Sequence, residues 1–344
     1  MSTTVRAATA RDVIEPGAGF MQAVIQNRYG SAEVLQHTTV PRPTAGEGEV
    51  LVRIRAAGVH IGDWHLMTGQ PFLMRITGFG LRAPKARVRG TDMAGTVVAV
   101  GARVTGVQVG DEVYGTCDGA YAEYATARPD TLAPKPASLS YEQAAAVPTS
   151  AVTALAAVRD AGQVSAGQRV LVIGASGGVG LFAVQIAKAL GAEVTGVCST
   201  TKVDLVRSAG ADHIVDYTQA DIDSNALLYD VIIDMGGNRP LGQLRRSLSR
   251  SGTLVLVGGE GGGRWIGGAL GRSLRALLLS PFVAQKLRMV LATAKRPDLE
   301  ALSELIAANK LTPIIDRTYP LSSAPDAIRR LRTGQARGKL VIAV

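Results

Sequence analysis

Three side chains able to hold a metal or move a proton fall within six residues of this sequence. They are His60, Asp63 and His65 in AAGVHIGDWH (56–65), and they include two of the chain's four histidines. Imidazole and carboxylate are both zinc ligands. A histidine in a cleft can also donate a hydrogen bond or carry a proton near neutral pH. The plain alternative is packing, with the imidazole tied to a backbone carbonyl at a cleft wall.

A second constellation lies between 169 and 202. The apolar run 170–173 enters GASGGVG (174–180), and an Ala-rich helical stretch follows. Ala175, Gly177 and Gly180 occupy the three small-residue positions of a G-x-G-x-x-G turn, with Ala in the first. Gly177 would let the backbone approach a pyrophosphate, and Gly180 would let the helix pack on the strand. Backbone around Ser176, Gly178 and Val179 would then present N–H groups and the positive end of the helix to phosphates. Glycine-rich turns also join ordinary strands and helices, so the weight rests on the complete strand–turn–helix–strand context. The next strand ends near Cys198 and runs into Ser199, Thr200 and Lys202, with no Asp or Glu. An acid there would hold a ribose 2′-hydroxyl and repel a 2′-phosphate. Hydroxyls and a lysine suit the phosphate, so NADPH is expected over NADH. The alternative is a polar solvent loop.

Two kinds of element must position these groups. From Gln22 to about Pro129 the pattern is β-rich: EVLVRIRAAGV (49–59) and GTVVAVGARV (95–104) alternate, with glycine turns between short strands, as in a closed or partly closed barrel. At 139–162 the pattern turns helical, opening with a capping box from Ser140 to Gln143 and broken by Pro148. From Gln168, apolar runs at 170–173, 193–198, 229–234 and 253–257 alternate with helical stretches, the mark of a buried parallel sheet. A basic amphipathic segment covers 272–295, expected to cap a substrate cleft, with a membrane or partner helix as the alternative. GKLVIAV (338–344) reads as a strand returning to the first domain.

Bulk properties narrow the class. The 344 residues suffice for two domains, and 47% hydrophobic with 19% charged residues indicates a folded chain. The net charge of +9 is spread along the sequence rather than gathered in one run, so neither a nucleic-acid partner nor membrane contact is expected. Two cysteines give no disulfide framework and suggest a reducing, cytoplasmic setting. Residues 1–20 lack an apolar signal core; Asp12 and Glu15 argue against a transit peptide, leaving a flexible tail.

Taken in order, MQAVIQNRYGSAEVL, AAGVHIGD, GTDMAGTVVAVG, VQVGDEVYG, AGQRVLVIGASGGVG and ARGKLVI resemble the medium-chain dehydrogenase/reductase superfamily, above all its zinc-free quinone oxidoreductase branch related to zeta-crystallin. The resemblance covers about Met21 to Val344. It implies an α/β fold: a Rossmann-type doubly wound parallel sheet over 146–284, and a GroES-like β-barrel catalytic domain from 21–145 and 285–344. Where zinc-dependent relatives carry Cys-x-x-Asp-x-His, this chain has His60, Asp63 and His65. Their second and third ligand positions fall on Thr91, within Gly90-Thr91-Asp92, and on Thr149. Hydroxyls are poor zinc ligands, so no zinc is expected. The resemblance also places Met235, Gly236, Val257 and Gly258 along the nicotinamide and Tyr217 near the adenosine phosphate. It implies a homodimer and hydride transfer from NADPH to a quinone or an α,β-unsaturated carbonyl. His60 and Thr149 are expected to hydrogen-bond the substrate oxygen and Asp63 to organise the cleft. The competing readings are an alcohol or aldehyde dehydrogenase of the same superfamily and a nucleotide-binding structural protein with little turnover.

Overall fold

The computed structural model describes residues 19–223, 227–258 and 267–344, without the side chains of 267–270. The expected tail over 1–20 lies outside these residues except for Gly19 and Phe20, which opens the first strand, Phe20–Gln26.

The long strand Val50–Val59 is the axis of the first half. It pairs antiparallel with Asp92–Val100, Tyr124–Ala127 and the C-terminal strand Lys339–Ala343. Glu112–Thr116 and Leu132–Pro134 extend one side, and Ile315–Pro320 joins the C-terminal strand in parallel on the other. Phe20–Gln26 and Leu35–Pro41 form a separate hairpin over this sheet. Arg53 and Arg55 alternate outward between buried Val52, Ile54 and Ala56, which is the period of a half-buried strand.

The second half is a six-stranded parallel sheet. Its order is His213–Asp216, Glu193–Cys198, Arg169–Ile173, Tyr229–Asp234, Leu248–Leu256 and Lys286–Met289. Numbered along the chain this is 3-2-1-4-5-6, the doubly wound order. The strand order reverses between the parallel neighbours Arg169–Ile173 and Tyr229–Asp234, and ligands of such sheets bind in the crevice outside that point.

Two sequence readings are corrected here. The basic amphipathic segment 272–295 is not one element: helix Gly267–Leu279 ends before Ser280–Phe282, and Lys286–Met289 is the sixth parallel strand. Pro281 cannot continue a helix, and Leu287 pairs with Leu254 at the sheet edge. The domain boundary expected at 285 therefore falls after Met289.

The two halves share one apolar core, in which Ala56, Ala94 and Tyr114 pack with Val170, Leu181 and Val255. Helix Tyr141–Ala145 starts at the expected capping box, with Gln143 N–H donating to Ser140 Oγ at 3.2 Å and Ser140 N–H to Gln143 Oε1 at 3.0 Å. Among the described residues no helix is long and apolar enough to cross a membrane.

Candidate active site

His60 follows the axial strand directly and caps helix Ile61–Thr68. Its Nδ1 accepts from Gly62 N–H at 3.0 Å, and Asp63 Oδ2 accepts from His60 N–H at 2.9 Å. The spacing His-x-x-Asp thus satisfies orphan N–H groups of a helix start in both directions. With Nδ1 accepting, the ring proton sits on Nε2, which lies 2.8 Å from Thr91 Oγ1. Thr91 donates onward to Asp63 Oδ1 at 3.3 Å, and the buried Tyr121 hydroxyl donates to Asp63 Oδ2 at 2.9 Å. Asp63 thus accepts from the His60 N–H, Thr91 and Tyr121, whereas the donor expected of His60 is already engaged with Thr91. His65 stands outside the cluster: Nδ1 lies 2.8 Å from Gln70 O and the ring meets Trp64 edge-on. His60→Ala should cost about 1 kcal/mol through the lost cap, and His60→Asn should restore most of it. Identical Tm values for wild type and His60→Ala would refute the capping role.

Behind this wall lie two charged residues that sequence reasoning did not assign. Asp92 is completely buried, and its Oδ1 accepts from both the N–H and the hydroxyl of Thr149. Lys339 is 3% exposed, and its Nζ donates to Val59 O at 3.1 Å and Ser150 Oγ at 2.8 Å. Burial pushes the Lys339 ammonium down from its usual range, while Asp92 and Asp63 pull it back. The available signal was a charged residue leading an apolar strand in both DMAGTVVAV and KLVIA.

The glycine turn 174–180 abuts the same wall. Gly177 caps helix Gly178–Ala189 without a side-chain bond. Ala175 N–H and Gly177 N–H serve the turn itself, bonding Val197 O and Gly174 O, and Leu181 N–H bonds Gly177 O. The N–H groups of Gly178, Val179 and Gly180 are those a helix leaves without an intrahelical acceptor. Ser176 is nearly buried beside them. A Cβ on Gly178 would lie 3.1 Å from Lys339 Cδ, so Lys339 links this turn to the Thr149 side. Met235 and Gly236 sit against Gly174, and Val257 N–H and Gly258 N–H reach back to Asp234 O, so all four lie along the sheet's carboxyl edge.

At the far end, the loop after Cys198 differs from expectation. Thr200 Oγ1 donates to Asp216 Oδ2 at 2.5 Å, so an acid from the neighbouring strand end occupies one of the two hydroxyls. Lys202 Nζ donates to Gly334 O at 2.6 Å, and Arg337 donates to Thr201 O. Burial and then Arg337 hold the Lys202 ammonium below its usual range. Arg337 is a second cation the sequence reading did not name. Ser199 is the N-cap of the next turn, and Tyr217 is 55% exposed in the adjoining cleft beside Thr218 and Asn238.

The profile of the alcohol dehydrogenase GroES-like domain matches residues 46–137, and that of the zinc-binding dehydrogenase matches residues 209–342. NAD(P)H oxidoreductase RTN4IP1, mitochondrial, of Mus musculus is 33% identical, over 94% of this chain and 89% of its own. The chain belongs to the quinone oxidoreductase branch of the medium-chain dehydrogenase/reductase family. The 2-methylene-furan-3-one reductase of Solanum lycopersicum is 32% identical, over 94% of this chain and 79% of its own. The solved quinone oxidoreductase from Coxiella burnetii superposes with a TM-score of 0.83 at 28% identity, covering 95% of this chain and all of that one. Within the family, this member's donor set does not fit a catalytic zinc. His60, Thr91 and Thr149 stand at the ligand positions, and each is engaged with a neighbouring side chain or backbone group. Two of the three are hydroxyls, which zinc takes poorly.

Proposed function

We propose that the protein reduces quinones or α,β-unsaturated carbonyl compounds with NADPH and without a zinc ion. The observation that carries this is the junction of a phosphate-binding turn with a zinc-incompatible hydrogen-bonding wall, joined by Lys339 across Ser150 and Gly178. The printed names of the relatives, an NAD(P)H oxidoreductase and an enone-type reductase, support the same reading. The chain's N–H groups at Gly178, Val179 and Gly180 would hold the pyrophosphate, and Met235, Gly236, Val257 and Gly258 would flank the nicotinamide. Bound reduced nicotinamide supplies a hydride to an electrophilic carbon. A quinone or enone spreads the developing negative charge, so one hydroxyl donor, Thr149, suffices where a simple aldehyde would need a stronger electrophile. Asp63 fixes Thr91 and, through it, His60, so that the wall does not rearrange during the reaction.

The preference for NADPH rests on charge. Lys202 and Arg337 oppose the Asp216 carboxylate, and Asp316, which also acts on Lys202, is paired with Arg330, leaving that loop net positive for a 2′-phosphate. A homodimer is supported by the strand Lys286–Met289, which ends its sheet with one side unpaired among the described residues. Light scattering on the purified protein tests it. Cys117 and Cys198, both free, fit a reducing compartment such as the cytoplasm.

A panel of quinones, enones and simple aldehydes with NADPH oxidation as readout tests the activity. Turnover restricted to simple aldehydes or alcohols would overturn it. The protein should also purify without stoichiometric zinc and keep its activity in EDTA. Activity that vanishes with chelator and returns with zinc would defeat the zinc-free reading.

A further inference from the structure

Asp92 is bonded through only one of its oxygens. Oδ1 meets both donors of Thr149, while Oδ2 is buried with no hydrogen-bond partner among the described residues. An ionised carboxylate in that setting leaves half of its charge dry, which is unfavourable. Lys339 does not correct this by contact, because its ammonium is bonded to Val59 O and Ser150 Oγ. A carboxylic acid has an easier arrangement. Its proton goes to the oxygen already in hydrogen-bond contact, Thr149 Oγ1, and the Thr149 hydroxyl proton is then released to point away from Asp92. Thr149 itself is only partly buried.

We infer that Asp92 supplies the proton of the reduction, passing it through the Thr149 hydroxyl to the substrate oxygen. The inference rests on the reductase reading above. As hydride adds to the conjugated carbon of the enone or quinone, the C=C π pair shifts into the bond beside the carbonyl and the C=O π pair moves to oxygen. That oxygen takes the Thr149 proton, Thr149 Oγ1 takes the proton of Asp92 Oδ1, and Asp92 is left as a carboxylate. Water returns the proton between turnovers. The charge so formed faces the Lys339 ammonium, which tempers it. His60 does not compete for the role, since its Nε2 proton is directed at Thr91.

The pH dependence follows from the surroundings. Burial raises the Asp92 carboxyl above the usual range; His60 and Lys339 pull it down, and Asp63 pushes it up. From the segment after Glu112–Thr116, Cys117 and Tyr121 face the same region, and burial raises both so that they stay neutral. An acid that must be protonated to act loses activity as pH rises through its raised pKa. Wild-type kcat should therefore fall toward alkaline pH and show a solvent isotope effect.

Asp92→Asn keeps the size of the side chain and removes the transferable proton. It should lower kcat by about 100-fold with KM little changed, a loss within the general-acid range. It should also flatten the pH profile and abolish the solvent isotope effect. Thr149→Val should behave the same way and Thr149→Ser should recover, which guards against a fold defect in one variant. The infrared difference spectrum of wild type minus Asp92→Asn provides a readout free of turnover, because a protonated aspartic acid shows a carboxylic C=O band. Finding that band at neutral pH, with the profile lost in Asp92→Asn and Thr149→Val, supports the relay. Its absence, or an unchanged pH profile in Asp92→Asn, overturns the relay even if the enzyme reduces quinones. A band without turnover of any quinone or enone overturns the reductase reading and the relay with it.

Discussion

Removing both Lys202 and Arg337 should weaken NADPH binding by about 100-fold while leaving NADH within about twofold. Each cation can give a 2′-phosphate one charge-assisted hydrogen bond, contributing about 1.5–3 kcal/mol, and exposure of the loop favours the lower figure. At 1.4 kcal/mol per decade this is roughly tenfold for each. The two are not independent. Arg337 helps hold the Lys202 ammonium below its usual range, so deleting either relaxes the other, and each single alanine variant should lose less than half of the total in free energy. Lys202 must also leave Gly334 O, and Asp216 opposes the incoming phosphate, which is why the expectation stays at the lower end. Fluorescence titration of both cofactors at fixed low salt measures the effect, because the contact is ionic and screened at higher salt. Equal Kd values of the two cofactors on wild type would show that the phosphate does not bind there. So would equal losses for both on mutation.

That pair also shows where the sequence was informative and where it was not. The glycine turn was legible because everything that defines it is local: a buried strand, three small residues at fixed spacing, and a helix, all between Arg169 and Ala189. The place of Lys202 just past the end of Glu193–Cys198 was legible for the same reason. Arg337 was not, because it lies 136 residues from Thr201 and meets it only through the return of the C-terminal strand. The same holds for Lys339 and Ser150, 189 residues apart, and for Asp92 and Thr149, 57 apart. Local pattern can show that a charged residue leads an apolar strand, but it cannot show what that residue will face.

His60 and the 272–295 segment illustrate a different limit. His-x-x-Asp fits a reactive dyad and a helix capping box equally well, and the fold uses it as the cap. The short run KLRM offers too few residues to separate a period of two from one of 3.6, so read alone it stayed within the basic amphipathic segment. Only pairing with Leu248–Leu256 makes it a strand. The fold class survived these local errors because it depends on the succession of strands and helices, not on any one boundary.

Gly180→Ala should lower both stability and the affinity for either cofactor. Gly180 is the third residue of helix Gly178–Ala189, where alanine would ordinarily be favoured over glycine by about 1 kcal/mol. Here the sign reverses. A Cβ would lie 2.1 Å from Gly174 O and 2.8 Å from the Ala175 Cα and carbonyl carbon. All three are backbone atoms of the phosphate turn and cannot swing aside as a side chain could. Relief requires the helix to lift from the strand or the turn to open, a form of overpacking that costs about 1–3 kcal/mol. Opening the turn also displaces the N–H groups expected at the pyrophosphate, which NADPH and NADH share. The two cofactors should therefore weaken together, by about tenfold or more at 1.4 kcal/mol per decade, in contrast to the phosphate-selective loss expected at Lys202 and Arg337. Gly242→Ala is the matched control: it is the second residue of helix Leu241–Arg246, and an added Cβ there meets nothing within 4 Å. It should be neutral or stabilising by up to about 1 kcal/mol. Thermal unfolding with and without NADPH, and titration of both cofactors, distinguish the cases. A Gly180→Ala protein with unchanged Tm and unchanged affinities would mean that the turn yields without cost, and that close packing of helix on strand is not what the third small residue provides.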